Sequence, residues 1–223
     1  MNRLLLLAVC GLGAQAATVP DFATYRDFRF GMSLEDAAKP AGTKVVDATA
    51  VQRRPALIQE LEWRTGFAYT LGAKRTDPVR EGLLRFYNGE LFQIIATYDV
   101  QRIEGLTQAD LVAAISRTYG ASTNPGGRVA YHTNYGDTTP ILARWETDGY
   151  TASLVRTGDQ VSFAFIVTQK RLEALGLASM AEAARLDPLD APQRAVETER
   201  KTAEADRMAR DKARSVNLPN FRP

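Results

Sequence analysis

Few residues in this chain have the type and spacing to do chemistry. His132 is the single histidine, set in Tyr131-His132-Thr133-Asn134-Tyr135-Gly136-Asp137. An imidazole five positions from a carboxylate could serve as a general base, but no serine motif accompanies it to complete a triad. Glu60 with Glu62, and Asp99 with Glu104, could supply the acid pair of glycoside cleavage, but nothing in their spacing singles them out from ordinary surface charge. Pro125-Gly126-Gly127-Arg128 is glycine-rich yet lacks the G-K-[ST] ending of a phosphate loop, so it reads as a turn. No calcium-loop pattern occurs, and no cofactor is implied. With no thiol expected in the mature chain and one imidazole, a zinc site would need carboxylates to dominate, and the Asp/Glu positions are scattered. The chemistry therefore points first to a non-enzymatic binding protein. The alternative is an envelope hydrolase working through carboxylates and His132.

Binding residues are sought among the aromatics instead. Trp63, Phe67 and Tyr69 form one group, and Tyr131 and Tyr135 another, all near strand ends and loops. Aromatic side chains are the usual anchors of interfaces. The competing expectation is that they fill the core of a sheet.

The elements that would position these residues begin with an address. Arg3, the apolar run Leu4–Gly13 and Ala14-Gln15-Ala16 have the layout of a cleaved export signal over residues 1–16. The run is shorter than the roughly 20 apolar residues that span a bilayer. Cleavage would remove Cys10, the only cysteine, leaving a mature chain without disulfides. The expected location is the periplasm. The alternative is a lipid anchor on Cys10, although Val9 is large for the position before an acylated cysteine. No other stretch is apolar enough to span a membrane.

The net charge of +2 is distributed unevenly: residues 191–223 hold eight Lys/Arg against five Asp/Glu. A near-neutral body with a mildly basic tail lacks the clustered charge of a nucleic-acid binder. The expected partner is another envelope protein or cell-envelope component.

Residues 17–181 predict an α+β domain made of two tandem units, at about 25–99 and 103–168. The first opens Gly31-Met32-Ser33-Leu34-Glu35-Asp36, the second Gly105-Leu106-Thr107-Gln108-Ala109-Asp110. Each hydroxyl can cap a helix whose third residue is an acid, placed at the positive end of the helix dipole. Pro40 keeps the first helix short, and Gly120 suits the end of the second. Antiparallel strands follow each helix. Asn88-Gly89 and Asp148-Gly149 both predict type I′ turns, and Gly158-Asp159 a third hairpin. Alternation about the later turns puts Ala143, Trp145, Ala152, Leu154, Phe163 and Phe165 on one face. The same construction about Asn88-Gly89 groups Phe86 and Leu91 with Ile95, and Leu83 and Phe92 with Ile94. The first unit is the longer, and Leu57, Leu61 and Trp63 predict an added strand within 42–65.

Beyond the domain, residues 170–181 read as a short helix and 182–192 as a linker around Pro188 and Pro192. Residues 193–216 read as a charged helix. Its Glu197–Lys201 and Asp206–Arg210 pairs are in the favourable order, while its apolar residues are too sparse for a heptad. Residues 217–223 read as an extended tail.

The Phe30-Gly31-Met32-Ser33 helix start followed by an antiparallel meander resembles the units of the β-lactamase-inhibitor-protein-like fold. Small outer-membrane assembly lipoproteins carry a similar G-M-[ST] start before three strands. The resemblance covers about residues 25–170 and extends to many uncharacterised bacterial envelope proteins. It implies a tandem α+β fold and an envelope location, and it transfers no binding residue.

Overall fold

The computed structural model describes residues 21–64, 77–124, 126–130, 138–157, 162–220 and 222. The expected export signal with Cys10, the residues Phe67, Tyr69, Tyr131, His132, Tyr135 and Asp137, and the hairpin expected at Gly158-Asp159 lie outside these residues.

The fold is α+β, an eight-stranded antiparallel sheet with helices. A two-stranded hairpin, β1 (Thr24–Tyr25) and β2 (Phe28–Arg29), precedes α1 (Leu34–Ala41). Four strands follow: β3 (Thr49–Gln52), β4 (Ile58–Arg64), β5 (Val79–Tyr87) and β6 (Glu90–Tyr98). Then come α2 (Gln108–Tyr119) and β7 (Arg128–Ala130), β8 (Thr138–Glu146), β9 (Tyr150–Thr157) and β10 (Ser162–Gln169). A final helix, α3, runs over Lys170–Asn217. The strand order is β3-β4-β5-β6-β10-β9-β8-β7. Two strands, β3 and β4, occupy the 42–65 interval.

Both predicted caps form. Ser33 Oγ accepts from the Asp36 amide at 3.1 Å, and Thr107 Oγ1 from the Asp110 amide at 3.2 Å. Asp110 returns the favour to the Thr107 amide at 2.8 Å, closing the box with the shorter acid. α1 ends at Gly42, whose φ of 67° lets the Thr43 amide reach back to the Ala38 carbonyl.

One face of the sheet carries the main core. Trp145, Phe165, Leu154, Phe86, Leu84 and Ile94 are fully buried there under α1, α2 and the β1–β2 hairpin. The predicted face of β8, β9 and β10 is this one. Trp145 finishes its packing by donating Nε1–H to the Gly120 carbonyl and to Ser116 Oγ at the end of α2, both at 3.1 Å.

The β5–β6 hairpin differs from simple alternation. Asn88 and Gly89 do make a turn with positive φ at both residues, 49° and 86°. The register then slips, because Phe86 faces Leu91 while Arg85 faces Gln93. The bulge at Phe92 exchanges the two sets. Ile94 joins Phe86 and Leu91 in the main core, and Ile95 joins Leu83 in a smaller cluster with Ile141, Val155, Ala164 and Ile166. The Asp148-Gly149 turn is also different, since neither residue has positive φ. There the Thr147 hydroxyl accepts from the Tyr150 amide at 3.2 Å and the Tyr150 carbonyl from the Thr147 amide at 2.9 Å.

α3 continues through the interval read as a linker. Each of Pro188 and Pro192 removes a helix donor, and Arg194 bridges the break. It donates to the Asp187 carboxylate at 2.9 Å and to the Asp187 carbonyl at 2.8 Å. At its end, Leu218–Asn220 makes a 3-10 turn in place of an extended start to the tail. Asn220 Nδ2–H donates to the Val216 carbonyl at 2.8 Å, satisfying an orphan helix acceptor. Among the described residues no helix is long and apolar enough to cross a membrane.

Candidate partner-binding surface

α3 crosses the second face of the sheet from β10 towards β3. Leu172, Gly176 and Ser179 are its buried residues, spaced four and three apart as one helical face requires. Gly176 lies over Ile58 and Phe92. Ser179 Oγ accepts from Gln52 Nε2 at 2.6 Å, next to the sheet's edge.

The layer beneath the helix is polar. Arg85 donates from Nε to Glu60 and from Nη1 to Gln93, both at 2.8 Å, and Gln93 Nε2–H donates to Thr168 at 3.1 Å. These groups run across four neighbouring strands, β4, β5, β6 and β10. Glu60, one of the acids considered for catalysis, is thereby committed to Arg85, with the two side chains 7% and 13% exposed. Asp99 accepts from the Gln101 amide at 3.0 Å in the turn after β6. Glu173, on the first turn of α3, faces the same layer. Burial pushes its carboxyl above the ordinary value, against the pull of Arg144 and Arg85.

Past Ser179 the helix leaves the sheet beside β3. Arg54, just beyond β3, donates to Asp190 at 2.8 Å, the last contact by which the body holds the helix among the described ion pairs. Between β3 and α3 runs a groove of about 710 Å³. Its walls are Val51, Met180, Ala183 and Ala184, and its rim bears Arg53, Arg54 and Arg194 against Asp187 and Asp190.

From residue 191 to 217 every residue of α3 is exposed, a rod of about 40 Å at 1.5 Å per residue. Glu197, Arg200, Glu204, Arg207, Asp211 and Arg214 alternate in sign at spacings of three and four, forming a ladder along one side. Lys201–Glu197 at 2.9 Å and Arg200–Glu204 at 3.9 Å are contacts along this region. Ala195, Thr198, Thr202, Ala205 and Ala209 lie on the opposite side and carry no charge. The i,i+4 pairs predict only part of this; the alternation emerges once three- and four-residue steps are counted together.

Trp63 is placed in the core. It is 6% exposed, and the Phe28 ring meets it edge-on at 4.9 Å. The Arg26 guanidinium sits 5.3 Å from its ring centroid and is held there by Asp77 at 2.6 and 2.8 Å. Arg26 itself turns the β1–β2 hairpin with a φ of 55°. Tyr25, beside it, has its phenol pushed up to about 12, first by burial. This cluster fastens the N-terminal hairpin to the sheet and presents no free aromatic face through Trp63.

Comparison with protein families, with characterised proteins and with solved structures returns no match for the chain.

Proposed function

We propose that this chain is an exported, non-enzymatic binding protein that works in the periplasm on another envelope protein or component. One observation carries the reading. Among the described residues α3 is anchored to the body through residues 170–190, and from 191 to 217 its turns are presented to solvent on every side. A charged helix segment that is exposed along its whole length is suited to meet another molecule. The Arg26–Asp77 and Glu60–Arg85 pairs are accounted for by packing, which favours binding over catalysis at those positions.

The body is read as a duplication, with units at about 25–99 and 103–168 in the manner of the β-lactamase-inhibitor-protein-like fold. Its support is the pair of hydroxyl-capped helices, each followed by four strands, and a strand order that reads outward alike from the β6–β10 junction.

The test is retention of partners from envelope extract by the intact chain and by a chain lacking residues 193–223. Loss of a retained species on truncation supports the reading. Failure of the intact chain to retain anything overturns it.

A further inference from the structure

β3 is the terminal strand of the sheet. β4 covers one of its edges, and no strand pairs with the other among the described residues. A bare strand edge is a template for another chain's backbone. Here the edge is roofed: the groove beside it is walled by Met180, Ala183 and Ala184 of α3. An added strand would find amide and carbonyl partners on β3, and its inward side chains would meet small apolar groups of the helix.

Charge decides what such a strand should carry. Three arginines stand on the rim against two aspartates. Asp190 is occupied by Arg54 and Asp187 by Arg194. Arg53 is the positive charge in excess, directly after the end of β3. We infer that the groove takes an acidic, extended segment of a partner protein, added to the sheet as a strand against β3 and beneath α3. This rests on the reading of the chain as a binding protein and names the chemistry of the partner. Side chains alternate along the added strand, so valine-sized groups would point to the α3 wall and a carboxylate would lie at Arg53.

The experiment uses the full mature chain and three labelled peptides of eight residues. The first alternates valine with threonine and glutamate. The second has lysine for glutamate. The third is the acidic peptide with its central amides N-methylated, which removes backbone donors and leaves the charge. Fluorescence anisotropy is expected to show the acidic peptide binding about tenfold tighter than the lysine peptide, with binding lost on N-methylation. Arg53→Glu should reverse the order of the first two. Equal binding of the acidic and lysine peptides overturns the inference. So does an unchanged preference in Arg53→Glu, full binding of the N-methylated peptide, or no binding at all. A chain that dimerises through β3, blocking the peptides, overturns it as well. The two readings separate cleanly. A chain that retains an envelope species but refuses every peptide refutes the strand addition alone. One that takes the acidic peptide but retains nothing from extract refutes the proposed function alone.

Discussion

Gly82 faces Trp63 across the β4–β5 ladder so closely that a Cβ on Gly82 would fall 2.2 Å from Trp63 Cε3. The glycine is there because the indole occupies its side-chain space. Trp63 cannot retreat, being wedged between Phe28 and the Arg26 guanidinium. Gly82→Ala should therefore destabilise the fold by about 1–3 kcal/mol, the usual range for overpacking. Urea denaturation checks this, and an unchanged midpoint would mean that the ring is free to move.

Gly176 is the opposite case. It lies inside α3 with ordinary φ, and an added Cβ would sit 3.8 Å from Ile58 Cδ1 and 3.9 Å from Phe92 Cζ, normal contact distances. Alanine should fit and recover the helix propensity that glycine loses. Gly176→Ala is expected to stabilise by about 0.5–1 kcal/mol, read as a rise in melting temperature.

Glu60 and Arg85 are a nearly dry ion pair under α3. Glu60→Ala would leave the guanidinium buried without its carboxylate, and a loss of about 3–5 kcal/mol is expected. Replacing both by apolar residues of similar size should recover most of that loss, measured by the same denaturation series.

Glu173 gives a pH dependence of defined sign. Burial raises its folded-state value above the ordinary 4.5. The folded chain therefore holds this proton more tightly than the unfolded one. Its contribution is fully present below the ordinary value and is lost as pH rises through the raised one. Glu173→Gln should stabilise the protein at pH 7 and have a smaller effect at pH 4. Denaturation midpoints at the two pH values decide it; an equal shift at both would show that the carboxyl does not titrate abnormally.

Legibility in the sequence followed the range of the interaction. Caps at Ser33 and Thr107 are satisfied within three residues, so the amino-acid types alone announce them. The faces of β8, β9 and β10 follow from period two because most of their register stays regular about the core. The β5–β6 hairpin departs from its expected faces at a single extra residue, Phe92, whose bulge no local pattern marks. The helix through Pro188 and Pro192 is bridged by Arg194 reaching back seven residues and met by Arg54 reaching across from the sheet, contacts that no local pattern marks. The polar layer of Glu60, Arg85, Gln93 and Thr168 was illegible for a related reason. Charged residues in alternation look like a solvated face, and only the path of α3 over them makes an interior. The groove between β3 and α3 joins segments more than 120 residues apart and has no sequence signature of its own.

The two prolines of α3 have a mechanical consequence. They remove two amide donors one turn apart where the rod passes from support to overhang, which thins its hydrogen-bond ladder beside the last ion pair to the body. A force at the far turns would act with a long lever on Arg54–Asp190, which ties the helix to the body, and on Arg194–Asp187, which spans the prolines within the helix. A load on the tip and an occupant of the hollow would bear on the same few atoms, because Arg54, Asp187, Asp190 and Arg194 also line the groove.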